Sequence, residues 1–479
     1  MMNNTYCRYA WMMAFVLAGA TACKTSRPAG FTPPPAASQA VECWLTDPDS
    51  TARLEYQPVI HFSNTASAAP LITLNEQETY QTMDGFGCTL TGGSATLIMQ
   101  MDAASRQKLL QELFGKGPNR LNMSYLRISI AASDMNASVF SYDDMPTGQT
   151  DTTLAHFTLG PDQNDVVPVL QQILKINPML KILGSPWSAP VWMKDNGDTR
   201  GGSLLPRYYG AYARYFVRYI QAMKANGIPI NAITVQNEPL HPGNNPSMKM
   251  LPEDQAAFVR DALGPAFERA HIKTKIIIYD HNCDRPDYPI TVLNDPEANK
   301  YIDGSAFHLY GGKIEAMSEV HNAFPNKNIY FTEQWIGAPG HLKKDLDEHI
   351  RLLTIGASRN WARTVLEWNL AADPHQNPHT DRGGCNGCLG AITLDASNVV
   401  RNPAYYIIGH AAAFVLPGAV RIASNTSEEL PNVAFKRPDG KQVLIVLNHS
   451  QQAQTFTVVT NKGNFQGSLH AGAVATYLW

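Results

Sequence analysis

Short runs of apolar and β-branched residues recur along the middle of the chain, at 85–87, 125–130, 181–185, 233–235, 276–279, 305–307, 329–331 and 365–367. Each is too brief for a helix, and its composition favours a strand. Between them lie longer stretches with apolar positions three and four apart, such as 103–114, 208–225, 252–262 and 343–357, which predict amphipathic helices. One has a clear start at Pro252-Glu253-Asp254, with proline in the first turn and acids at the positive end of the helix dipole. Eight strand-like runs alternating with helices predict a (β/α)₈ TIM barrel over residues 80–400. A doubly wound open sheet would show the same alternation, so the polar positions decide. The runs carry or end in Arg127, Trp187, Asn237 and Glu238, Asp280 and His281, His308 and Tyr310, Glu333, Trp368 and Asn369. A closed barrel gathers such strand ends at one mouth, whereas an open sheet spreads them along an edge.

From about Val420 the pattern shortens to period two, at 420–423, 433–436, 443–448, 455–459 and 473–478, with a turn at Pro438-Asp439-Gly440. No helical pattern interrupts these runs, so residues 401–479 read as an all-β sandwich. Alternation at 54–62 and 71–75 predicts that N-terminal strands within 51–79 join the same sandwich, because chain ends commonly lie close together. Ahead of them, Arg8 precedes an apolar stretch, 9–22, that ends at Ala20-Thr21-Ala22 before Cys23. It is too short to span a bilayer and has the form of a signal segment, 1–22. Either Ala20-Thr21-Ala22 is cut as an ordinary A-x-A site, or Cys23 is lipidated and attaches the protein to a membrane. Both readings predict export, as a surface or periplasmic lipoprotein or as a secreted protein. Residues 23–50, with Pro28, Pro33, Pro34 and Pro35, then read as an extended tether.

Composition narrows the chemistry. With 44% hydrophobic and 16% charged residues the chain is globular, and a net charge of −3 argues against a nucleic-acid partner. Of seven cysteines, Cys385 and Cys388 form a C-x-x-C, either half of a zinc site or a short loop disulfide. No second pair lies at metal-binding spacing, so no metal is expected. No G-x-S-x-G elbow follows a strand, and no dinucleotide or phosphate loop opens a helix. A hydrolase without a cofactor remains.

Cleaving a glycosidic bond takes one carboxyl to protonate the leaving oxygen and a second carboxylate to attack the anomeric carbon or activate water. Glu238, in Gln236-Asn237-Glu238-Pro239, and Glu333, in Thr332-Glu333-Gln334-Trp335, each follow an apolar run, the fourth and seventh of the eight. Facing each other across a barrel mouth they would retain configuration at about 5 Å and invert it at roughly 6.5–9.5 Å. A lone strand-end glutamate is more often a solvated or ion-paired surface residue; two on the expected strands reverse that reading. Asn237 suits a hydrogen bond to a sugar 2-hydroxyl. Arg127 and Tyr310 are placed to support Glu333 by charge and hydrogen bonding, and an apolar wall would raise the pKa of Glu238. His308 is either a sugar ligand or a satisfied structural histidine. Trp187 and Trp368 are candidate stacking walls, against the plainer reading of barrel-top packing.

These residues and their contexts resemble glycoside hydrolase family 30, the group that includes acid glucosylceramidase and endo-β-1,6-glucanases. The resemblance runs from about Gln81 to Trp479, through Met83-Asp84-Gly85-Phe86-Gly87, Leu126-Arg127-Ile128, Ser185-Pro186-Trp187-Ser188-Ala189-Pro190, Gln236-Asn237-Glu238-Pro239, Asp295-Pro296-Glu297-Ala298, Thr332-Glu333, Trp368-Asn369-Leu370 and Thr476-Tyr477-Leu478-Trp479. It implies a barrel plus β-sandwich and a retaining mechanism, with Glu238 as acid/base and Glu333 as nucleophile. Leu90-Thr91-Gly92-Gly93 and His308-Leu309-Tyr310 depart from the glucosylceramidase pattern. Thr91-Gly92-Gly93 and Cys385-x-x-Cys388 look more like the bacterial branch with β-1,6-glucanases, so the expected partner is a β-1,6-linked glucan. The alternatives are a glucosylceramidase-like enzyme, another exo-β-glucosidase or xylanase of the family, or a surface lipoprotein that binds glycan without turnover.

Overall fold

The computed structural model describes residues 40–63 and 70–479. The signal segment 1–22, the lipidation candidate Cys23 and most of the tether lie outside the described residues.

Eight parallel strands close into a barrel. They are β1 (Gly85–Leu90), β2 (Tyr125–Ser129), β3 (Lys181–Ser185), β4 (Ala232–Thr234), β5 (Lys275–Cys283), β6 (Ile302–Gly312), β7 (Asn328–Glu333) and β8 (Ala362–Glu367). β8 pairs back onto β1 through Thr364↔Gly85 and Val365↔Phe86, which completes the ring. Helices follow the strands in turn and cover the outside. Asp102 caps the helix Ala103–Phe114 by accepting from the backbone N–H groups of Ala104 and Ser105, the role its short carboxylate suits. At the N-terminal end of the barrel, Asp84 joins Lys181 at 2.8 Å and Arg363 at 3.1 Å. Ion pairs at that end tie strands together and leave the chemistry to the other end.

The sandwich draws on both chain ends. Ala40–Thr46 pairs antiparallel with Val474–Leu478, and Leu71–Thr82 lies between Val420–Ser424 and Gln454–Thr460. The strand Gln442–Leu447 shows why: Val443, Ile445 and Leu447 pack into the barrel's core, while Leu444 and Val446 pack into the sandwich's own. Alternate residues face opposite sides, so a strand apolar at every position can lie between two cores.

Three expected boundaries move. The tether 23–50 stops short of its predicted end, because Val41 and Cys43 are buried on the strand Ala40–Thr46. The sandwich does not begin at 401: Pro403–Ala412 is a helix whose Ala404, Ile407, Ile408 and Ala411 belong to the barrel core. The run 54–62 is not one strand but two of two residues each, Glu55–Tyr56 and Ile60–His61, separated at Pro58, which lacks the N–H a ladder needs.

Candidate active site

The barrel interior is layered. Tyr125, Leu183, Ala232, Ile277, Ala306, Tyr330 and Leu366 form an apolar plug, contributed by β2 through β8. Two residues further along a strand the side chain faces the same way again. There the inward positions turn polar: Arg127, Ser185, Thr234, His308 and Thr332. On β5 the count slips. Tyr279 and Asp280 have φ of 71° and 66°, and pairing with β6 jumps from Ala306↔Tyr279 to Phe307↔His281. The extra residue is a bulge, and it brings Asp280 rather than Tyr279 into the polar layer.

Asp280 is fully buried. Its Oδ2 accepts from Arg127 Nη2 at 2.8 Å, Ser185 Oγ at 2.7 Å and Thr234 Oγ1 at 2.7 Å. Its Oδ1 accepts from Thr332 Oγ1 at 2.6 Å and contacts His308 Nε2 at 3.1 Å. Burial alone would raise the pKa of this carboxyl, but the Arg127 charge and these hydrogen bonds hold it well below the usual range.

The two glutamates stand on this layer. Glu333 ends β7; Arg127 Nη1 donates to its Oε2 and Tyr310 Oη to its Oε1, the latter at 3.0 Å. Glu238 lies four residues beyond β4 with a φ of 45°, its N–H bonded to the Asp280 carbonyl at 3.0 Å and its Oε2 accepting from Asn244 Nδ2 at 3.0 Å. A non-glycine residue at positive φ is costly unless its surroundings hold it, as that backbone bond does here. His308 Nδ1 lies 3.5 Å from Glu238 Oε1 and 3.6 Å from Glu333 Oε1, which caps the separation of those two oxygens at about 7 Å. Both glutamates therefore serve one mouth, within reach of a single sugar.

The electrostatics differ from expectation at Glu238. Burial pushes its pKa up, but the facing imidazoles of His281 at 3.7 Å and His308 at 3.5 Å outweigh burial and hold it below the ordinary carboxylate range. The expected apolar wall is replaced by two imidazoles. Burial likewise lowers His308, but Glu333, Asp280 and Glu238 together raise it to about 9. The cluster thus carries a proton through neutral pH, shared among coupled groups.

A cavity of about 350 Å³ opens above, lined among others by Asp134, Trp187, Glu238, Tyr310, Glu333 and Trp335. Trp187 and Trp368 form its wall with ring centroids 5.3 Å apart, and the Arg127 guanidinium sits 4.8 Å from the Trp187 ring. Both tryptophans are almost fully buried, so the half-buried Trp335 offers the more open aromatic face. Cys385 and Cys388 border the same cavity as a disulfide, which removes the zinc half-site reading. A larger cavity, about 750 Å³, lies beside Trp44 and Tyr405, but its Glu112 and Arg401 neutralise each other.

Of the residues expected from sequence, Glu238, Glu333, Arg127, Asn237, His308, Tyr310, Trp187 and Trp368 meet at this mouth. Arg127 and His308 are fully buried and act on the carboxylates from below. Arg127 Nη2 also donates to Asn237 Oδ1 at 2.6 Å, which sets the amide's orientation. Asn369 does not belong: Thr91 and Ser94 donate to its Oδ1, and its Nδ2 donates to the Ala371 carbonyl. Its amide is spent holding the start of the helix Gly92–Gln100. Asp280 and His281, strand-end polar residues with no site role expected from sequence, join the cluster. Asn244 and Asp134, which no strand-end pattern marks, also line the cavity. Asp134 lies in the loop after β2, where burial and the charges of Glu333 and Glu238 raise its pKa to about 8, and its Oδ1 has no hydrogen-bond partner.

Comparison with known proteins gives a family for the two domains. Residues 83–415 match the glycosyl hydrolase family 30 TIM-barrel domain, and residues 418–477 match the glycosyl hydrolase family 30 beta sandwich domain. An endo-1,6-beta-D-glucanase of Aspergillus fumigatus is 34% identical over 424 residues, which cover 83% of this chain and 85% of the relative. The lysosomal acid glucosylceramidase of Mus musculus is 28% identical over 447 residues, covering 87% and 85%. Among solved structures, an endo-beta1,6-glucanase superposes with a TM-score of 0.85 at 36% identity, over 92% of this chain and 99% of that one.

Proposed function

The chain belongs to glycosyl hydrolase family 30, and from that premise we propose that it is a retaining endo-β-1,6-glucanase with Glu333 as nucleophile and Glu238 as acid/base. The observation that carries the reading is the single His308 nitrogen within 3.6 Å of both glutamate carboxylates. A sugar seated in the cavity meets both at one anomeric carbon.

In the first step a Glu333 oxygen bonds to that carbon, the glycosidic bond breaks, and the departing O6 takes a proton from Glu238. In the second, water attacks the glycosyl–enzyme ester while Glu238 removes its proton, and Glu333 leaves. Arg127 and Tyr310 stabilise the Glu333 carboxylate before attack and after release. The proton that Glu238 passes on is stored in the pair it forms with His308. The Asn237 amide, its oxygen held by Arg127, keeps its N–H groups for the sugar 2-hydroxyl. Asp134, neutral at pH 7, is placed to hydrogen-bond another hydroxyl.

The β-1,6 linkage is supported by the endo-1,6-glucanases among the relatives, at higher identity than the glucosylceramidase. Xylanases of similar architecture are 19–21% identical and share the fold alone. Both carboxylates are present, which disfavours glycan binding without turnover. Export, read from residues 1–22 and Cys23, would put the enzyme where polymeric glucan is found. The test is a substrate panel: β-1,6-glucan is hydrolysed faster than aryl β-glucoside, glucosylceramide or xylan, with oligosaccharides of several lengths released early. Dominant xylanase activity, or glucose as the only early product, would overturn the reading.

A further inference from the structure

Double displacement asks for an acid/base and a nucleophile; it does not ask for two imidazoles aimed at the same acid oxygen. Glu238, His281 and His308, three buried side chains, each bring one possible ligand atom within 4.8 Å of the others'. We propose that these three groups form a binding site for a zinc-class divalent transition-metal ion, and that the bound ion reversibly blocks the enzyme.

The spacing fits an ion better than it fits hydrogen bonds. Glu238 Oε1 is 3.7 Å from His281 Nδ1 and 3.5 Å from His308 Nδ1. A tetrahedral ion with bonds of roughly 2.0–2.2 Å holds its donors about 3.4 Å apart. Both Nδ1 atoms are buried and have no hydrogen-bond partner. His308 Nε2 is pinned against Asp280 Oδ1 at 3.1 Å, so a neutral His308 carries its lone pair on Nδ1, facing two carboxylates. A lone pair among anionic oxygens calls for a cation between them. A proton supplies one solution and a metal ion the other. The Asp280–His308 contact is also the carboxylate–imidazole arrangement that orients metal-bound histidines. Glu333 Oε1, 3.6 Å from the same Nδ1, is near enough to serve as a fourth donor or to leave that place to water. Two nitrogens with one carboxylate suit zinc or copper, whereas magnesium and calcium prefer oxygen alone.

An ion held by Glu238 Oε1 takes the oxygen that must carry the proton and occupies part of the sugar's place. Inhibition is therefore competitive. This half rests on the acid/base role proposed above; the binding itself does not.

Calorimetric titration of untagged, EDTA-stripped protein with zinc chloride tests the site. One ion is expected per chain, with no binding of magnesium chloride at the same concentrations. His281→Asn and Glu238→Gln, each checked for folding by circular dichroism, are expected to weaken zinc at least tenfold. Cobalt(II) adds a readout on the unaltered protein, a visible band from a four-coordinate ion that β-1,6-glucan oligosaccharide displaces. Zinc should inhibit glucan hydrolysis competitively, with EDTA restoring activity. Absence of stoichiometric binding, equal binding in both variants, or a cobalt band indifferent to oligosaccharide would overturn the site. Tight, stoichiometric zinc without loss of turnover would overturn the inhibition and, separately, the acid/base role of Glu238.

Discussion

Asp280 is fully buried, and donors from five strands converge on its carboxylate while its backbone carbonyl anchors Glu238. Its partner Arg127 is fully buried and touches both Asp280 and Glu333. Removing one member of a buried ion pair leaves an uncompensated charge, which costs about 3–5 kcal/mol. Arg127→Met, similar in length and uncharged, is therefore expected to lose that much in urea unfolding and to lose activity with it. A loss below about 1 kcal/mol would contradict the role given to Arg127. Glu238 and Glu333 are legible in the sequence because each follows an apolar run, Glu333 ending its strand and Glu238 standing four residues past its own. Asp280 is not, since its inward orientation depends on a bulge that the alternating pattern does not announce. Asn369 shows the opposite failure. Its strand-end position marks it as a site residue, and only the partners Thr91 and Ser94 reveal that its amide faces away.

Among elements, the barrel strands were readable because each is buried on both faces and bounded by polar turns. The helix Pro403–Ala412 carries a start signal at Asn402-Pro403, but its run of apolar residues adjoins the β-rich tail and reads as part of the sandwich. The strand Ala40–Thr46 was hidden by the proline-rich segment before it, although its burial alternates in part as a strand's should. The loop carrying Cys385 and Cys388 was legible as a motif but not as a wall of the cavity, since it approaches Glu238 and Trp335 only in three dimensions. A disulfide that closes so small a ring limits the unfolded chain little. Replacing both cysteines by serine is expected to move the thermal midpoint by only a few degrees, while raising KM for long β-1,6-glucans several-fold. A large stability loss with unchanged KM would place the bridge outside substrate binding.

At the scale of the whole molecule, barrel and sandwich are not separable parts. Val433, Phe435, Val443, Ile445 and Leu478 of the sandwich strands belong to the barrel's core. His410, on the last barrel helix, contacts Thr476 Oγ1 at 2.9 Å and Thr46 Oγ1 at 2.8 Å across the joint. Burial lowers its pKa from 6.5 to about 3. The folded form therefore binds fewer protons than the unfolded chain in that window, so stability is full above pH 6.5 and falls as pH drops toward 3. The slope is roughly 1.4 kcal/mol per pH unit for one such group. His410→Gln should flatten it, and unfolding should remain one calorimetric transition at neutral pH; two resolved transitions would mean that the shared core does not couple the domains.

The central claim, that Glu333 attacks the anomeric carbon while Glu238 handles the proton, is most directly tested by trapping. The protein is incubated with a 2-deoxy-2-fluoro-β-glucoside bearing an activated leaving group, digested, and mapped by mass spectrometry. The account predicts one added fluoroglucosyl group per chain, on the peptide containing Glu333. A label on any other carboxylate would contradict it.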